Sequence, residues 1–159
     1  MRPDRKILFL FLAAASLIFT GCGRDRVLDE SVALENGAWP STRKVSFQAA
    51  IPDSTTPYNI YLTIRNSREY AFSNLFLFMT TTYPDGREAR DTLEFTLAGA
   101  DGRWLGSGAG HLKTNRFLLK EGVRFRQPGT YTFVMEQAMR TSLLQGIHDA
   151  GLAIETQTD

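Results

Sequence analysis

Few residues in this chain have the type and spacing to do chemistry. Gly106-Ser107-Gly108-Ala109-Gly110 has the freedom of a phosphate-cradling loop, but it lacks the Gly-Lys-Ser/Thr ending. Nor does a helical pattern follow it to aim backbone N–H groups at an anion. It reads as a loop that is either flexible or packed close against other backbone. Ser107 is not set in a nucleophile elbow, because Leu105 stands where the first glycine of G-x-S-x-G belongs. His111 and His148 are far apart, with no HExxH motif and no cysteine beside them, whereas a zinc site draws three or four ligands from a recognisable cluster. Asp85, Asp91, Asp101 and Asp149 are scattered through turns, where the short carboxylate commonly satisfies its own backbone. No nucleophile–base pair is legible. The chain reads as a non-enzyme with no cofactor and no metal.

The remaining reactive group is Cys22, the one cysteine of the chain. Arg2, Arg5 and Lys6 precede an uninterrupted apolar run from Ile7 to Phe19, and the small residues Thr20 and Gly21 lead into the thiol. This is the order of a secretion signal. Thirteen residues span roughly 20 Å as a helix, too short for a hydrocarbon core of about 30 Å. An ordinary signal peptide with an incidental thiol is one reading. The other is that small residues directly before a cysteine resemble the lipobox of bacterial lipoproteins, although Phe19 stands where Leu is most usual. That resemblance implies cleavage after residue 21 and covalent acyl (palmitate-type) and diacylglycerol lipid on Cys22. Two or more chains anchor a protein stably where one holds only marginally. Gly23 follows the cysteine, and Asp is absent from the position that retains many lipoproteins in the inner membrane, so an outer-membrane location is expected. The mixed signs of Arg24, Asp25 and Arg26 favour the periplasmic face.

Behind such a signal, residues 22–159 are enough for one domain. Acids and bases nearly balance, which gives no electrostatic reason to expect nucleic acid as a partner. With one cysteine, the domain has no disulfide and must rest on an apolar core, for which the 11% aromatic content supplies material.

The elements that would position any site read as strands. Residues 23–38 look like a tether, with a possible helical turn in Asp29 to Leu34, stopped by Asn36-Gly37 and Pro40. The period then becomes two. Val45, Phe47, Ala49 and Ile51 share a face, as do Ile60, Leu62 and Ile64. Asn74 to Tyr83 starts apolar on both faces, and Pro84-Asp85-Gly86 turns it into a returning strand with Leu93, Phe95 and Leu97 alternating. Arg103 to Leu105 offers a short strand, and residues 117–119 and 123–125 flank a further turn. Tyr131, Phe133 and Met135 mark one more strand. Ser142 to His148 has helical character, and the segment around Leu152 and Ile154 closes the sheet. The expected fold is all-β: an antiparallel β-sandwich of seven or eight strands with little helix, over residues 39–159.

Polar residues set among apolar ones suggest a patch facing a partner: Arg65, Asn66, Asn74, Gln137 and Arg140. Satisfied hydrogen bonds at strand ends are the plainer account. Trp39, Trp104, Tyr58 and Tyr61 would be the stacking residues if the sandwich were instead a glycan-binding module.

Several segments, in order and spacing, resemble one family. They include Trp39, Asp53, Ile64-Arg65-Asn66, and Tyr70 leading to Asn74-Leu75. Pro84-Asp85-Gly86, Asp91-Thr92-Leu93 and the run from Asp101 to Gly108 follow. Pro128 to Tyr131, Gln137 to Arg140 and Gly146 to Glu155 complete the set. Together they resemble the gliding motility lipoprotein GldH family of Bacteroidetes. The resemblance implies an envelope lipoprotein needed for gliding, a process associated with the type IX secretion machinery, with envelope or motility proteins as partners. It implies no catalytic activity and no cofactor, and assigns a role to Cys22 alone.

Overall fold

The computed structural model describes residues 26–157; Cys22 and the expected signal segment lie outside them. Ten strands run in chain order: β1 (Arg26–Ala33), β2 (Ala38–Pro40), β3 (Val45–Ile51), β4 (Tyr58–Ser67), β5 (Asn74–Thr82), β6 (Glu88–Thr96), β7 (Leu112–Val123), β8 (Gly129–Gln137), β9 (Leu143–Gln145) and β10 (Ile147–Thr156). A single 3-10 turn, Glu35–Gly37, separates β1 from β2. One four-stranded sheet has the order β1-β10-β4-β7 and the other β3-β8-β5-β6, while β2 and β9 pair as a small ribbon. All pairings are antiparallel. The all-β sandwich expected from the period of two is present, with ten strands in place of seven or eight.

Alternation fixes which residues meet between the sheets. β3 is buried at every second position, with Val45, Phe47, Ala49 and Ile51 inward. Leu75, Leu77, Tyr131 and Met135 extend that layer, and Leu62, Ile64, Leu152 and Ile154 face it from the other sheet. Each large apolar side chain fully buried this way contributes about 1.5–3 kcal/mol.

Four local expectations are corrected. Residues 26–38 are not a tether, and Asp29 to Leu34 makes no helical turn. Asp29, Glu30, Ser31, Val32 and Ala33 lie in β1, paired residue by residue with β10, where ladder hydrogen bonds outweigh the helix propensity of Glu and Ala. Ser142 to His148 is likewise extended: Leu144 is buried opposite Trp39 in the β2–β9 ribbon. Gly146, at φ +88°, turns the chain into β10. The turn expected between residues 119 and 123 is absent because β7 runs unbroken to Val123. Trp104 makes only an isolated bridge to Ala98, not a strand.

The sandwich has two long seams where edge strands of opposite sheets face one another. At one, β1 and β3 pack together. At the other, between β6 and β7, the inward residues of β6 shrink along the strand. Phe95 meets Phe117 at 4.7 Å between ring centroids and closes the seam. Below it come Leu93, Asp91 and Ala89, whose β5 partners are Leu77, Met79 and Thr81. The seam opens there.

Candidate functional site

The five residues expected to form a partner patch do not share a surface. Asn66 and Gln137 are inside, at 0% and 4% exposure. Asn115 Nδ2 donates to Asn66 Oδ1 at 2.8 Å, and Asn66 Nδ2 donates to Ser67 O at 3.1 Å. Gln137 Nε2 donates to Thr141 O at 2.8 Å and its Oε1 accepts from Met139 N at 2.8 Å. Both amides are spent inside the fold, Asn66 on Asn115 and backbone and Gln137 on backbone alone, as buried polar groups must be. Asn74 is half-buried and donates to Glu94 Oε1 at 2.8 Å. Arg65 is exposed and forks onto Asp149, with Nε and Nη2 both 2.5 Å from Oδ2. Arg140 is exposed.

The aromatics expected to stack on a glycan fare similarly. Trp39 is fully buried and its Nε1 donates to Arg43 O at 2.9 Å. Tyr58 is 1% exposed and meets Phe125 edge-on at 5.6 Å. Trp104 leans on Tyr70 at 6.4 Å. Tyr61 alone stands on the outer face of its sheet, beneath the Arg116 guanidinium at 4.0 Å. With two rings in the core and a third against Tyr70, no stacking platform forms. Sequence could not show this, because period two tells which residues share a face but not whether that face is covered.

The glycine-rich loop is packed at its first glycine and exposed from Ser107 to Gly110. A Cβ on Gly106 would stand 2.8 Å from Asn115 Oδ1 and 2.9 Å from Thr114 O, so only glycine lets the loop lie on β7. Ser107 and Thr114 bridge there, and Lys113 Nζ donates to Gly108 O at 2.6 Å. Among the described residues no three His, Cys, Asp or Glu side chains gather as a metal site.

Charge is organised at three places. Glu155, 2% exposed on β10, has its Oε1 2.9 Å from Arg116 Nη2 and 3.2 Å from Arg26 Nε. Neither contact is aligned as a hydrogen bond, so the buried carboxylate is held by ionic attraction. On the outer face of the other sheet Glu136 sits between Arg90 at 2.8 Å and Lys44 at 3.3 Å. Burial pushes its pKa up, but the two cations outweigh it and hold the group below its ordinary value. Arg90 also lies over the Phe78 ring at 4.4 Å. In the 52–57 loop, Asp53 accepts from the backbone N–H groups of Thr56 and Thr55 and from both hydroxyls, which lowers its pKa to about 2.

The open part of the β6–β7 seam is the feature that sequence reasoning missed. It forms a cleft of about 450 Å³, within the range of small-molecule sites. Met79, Leu93, Leu119, Phe125 and Phe133 make its apolar walls, and Lys120, Arg124, Arg126 and Asp91 stand around it. The signal lay in the taper of inward residues along β6, readable only once the register is known.

Among known proteins, the model of the GldH lipoprotein family matches residues 26–154. A gliding motility lipoprotein GldH homolog of Christiangramia forsetii is 35% identical over 155 residues, covering 93% of this chain and 94% of that protein. The gliding motility lipoprotein GldH of Flavobacterium johnsoniae is 36% identical over 153 residues, covering 92% and 94%. Likeness to solved structures is remote. Pseudomonas aeruginosa AlgX aligns at a TM-score of 0.40 and 17% identity, over 86% of this chain and 27% of that one. Family match and relatives agree over nearly the whole sandwich: the chain belongs to the GldH lipoprotein family.

Proposed function

We propose that this chain is an outer-membrane lipoprotein, acylated on Cys22 and facing the periplasm, that serves as a non-catalytic component of the gliding motility or envelope machinery. The observation that carries this reading is the 35–36% identity, over more than nine-tenths of each chain, to proteins named as gliding motility lipoproteins. Among the described residues no helix is long and apolar enough to cross a membrane; in this reading the lipid on Cys22 is the anchor. Asn66 and Gln137, two of the residues expected in a partner patch, are used inside the fold, Asn66 with Asn115 and Gln137 with Thr141. That fits a domain whose interior amides specify packing.

The test is Cys22→Ser in a gliding bacterium whose own copy is replaced by this gene. The domain is expected in the soluble periplasmic fraction, with gliding lost. Normal gliding by a soluble domain would sink the reading. A cross-linked pull-down of the lipidated protein from native membranes, expected to recover motility or secretion proteins stoichiometrically, identifies the partner.

A further inference from the structure

We propose that the β6–β7 cleft takes up one acyl chain of a phosphate-bearing membrane lipid, with the phosphate against Lys120, Arg124 and Arg126. The proposal rests on the lipid anchor at Cys22 argued above.

Three observations converge. The first is shape and lining. The cleft runs between the sheets, with Met79, Leu93, Leu119 and Phe133 inside and the Phe95–Phe117 contact closing the seam beyond it. A slot with apolar walls and one closed end suits a flexible hydrocarbon chain. A peptide strand added to the free edge of β6 or β7 would pair with backbone and leave the slot unfilled.

The second is charge. Three cations border the cleft against one carboxylate, Asp91. Arg124 is held in place by its Nε donating to Thr55 O at 2.9 Å, in the loop that Asp53 fastens. Lys120 and Arg126 are exposed and have no ion-pair partner among the described residues. Cations spaced around an apolar mouth match an anionic head on an apolar tail.

The third is position. Arg26 pairs with Glu155, Glu155 with Asn59 on β4, and Tyr58 beside it with Val123 on β7. The start of β1 and the mouth of the cleft therefore lie at the same end of the sandwich, three strand spacings or about 14 Å apart. Four residue steps separate Cys22 from Arg26, and a chain reaches at most about 14 Å over that length. A lipid on Cys22 thus keeps this end within headgroup distance of the bilayer. The cleft faces a surface made of phosphates and acyl chains.

The experiment uses the lipidated protein in nanodiscs of phosphatidylethanolamine containing phosphatidylglycerol with a diazirine in its acyl chain. Adducts are mapped by peptide mass spectrometry after irradiation. Expected are adducts concentrated on residues 79–93 and 117–126. Labelling should fall about fivefold for each of K120E, R124E and R126E, and Ala89→Trp, which fills the slot, should abolish it. Circular dichroism and a melting curve confirm that each variant is folded. Adducts spread over the surface, or indifferent to both charge reversal and filling, overturn the proposal. So does cleft labelling of Cys22→Ser protein that vanishes in the lipidated form, because the protein's own acyl chain would then be the occupant. Intact mass reports acylation of Cys22 separately. Acylated protein without cleft adducts sinks this inference and leaves the motility reading standing, whereas absence of acyl mass overturns the anchor itself.

Discussion

The two ends of the sandwich are built on opposite plans. At the end carrying the β2–β9 ribbon, Trp39, Tyr70, Leu144 and Ile147 are buried, and polar groups are turned inward and paired. A Cβ on Gly146 would stand 2.5 Å from Tyr70 N, so even backbone is pressed against backbone there. At the end carrying the start of β1, Tyr83, Leu93 and Leu119 are only half-buried, a cleft opens between the sheets, and cations stand at its edge. Polar and aromatic residues occur at both ends, so composition does not separate them. The sealed end spends its polar groups on stability, whereas the open end, beside the ion-paired Glu155, leaves Lys120 and Arg126 without an ion-pair partner among the described residues.

That contrast can be broken by mutation. Trp39→Ala removes a fully buried ring and its hydrogen bond, and should cost about 3–5 kcal/mol in urea unfolding. Leu119→Ala at the open end faces existing space and should cost about 1 kcal/mol. Equal costs would mean that the open end is packed as tightly as the sealed one. Next in size is Asn66→Ala, which strands the Asn115 amide inside the sheet and should cost about 1–3 kcal/mol. The double change with Asn115→Ala should fall short of the sum of the single costs, because the two groups are partners. Arg126→Glu should shift stability by under about 0.5 kcal/mol; a larger loss would show that the cation is structural.

The smallest effect is acid dependence. The pKa of Asp53 lies near 2 when folded against an ordinary 3.8. Its stabilising contribution is complete above 3.8 and disappears as pH falls toward 2. Asp53→Asn should flatten the loss of melting temperature across that window, and an unchanged slope would assign the acid sensitivity elsewhere.

Much of this was legible beforehand, and particular residues show where legibility ends. Val45 to Ile51, Tyr58 to Arg65 and the Pro84-Asp85-Gly86 hairpin were readable because alternation and turn chemistry are local. β1 was not, because its pairing with β10 is a contact across the whole domain, and Asp29 to Leu34 has no alternation of its own. Asn66 and Gln137 stand out in the sequence as polar residues among apolar ones, a pattern that does not tell a partner-facing amide from a buried one. Their burial depends on Asn115, Thr141 and Met139, which no local pattern connects to them. The cleft is the extreme case: its two walls come from strands that never pair.

The pairing of β1 with β10 carries one more consequence. The first described strand joins its sheet only beside the last, because β10 stands between β1 and the directly paired β4 and β7. A chain emerging from its N-terminus onward holds β1 waiting, unpaired, until residues 147–156 arrive. Such long-range closure makes folding slow. Order of arrival is therefore the reverse of order of seating: the first described strand is among the last to find its place, because its neighbour is the last to be made.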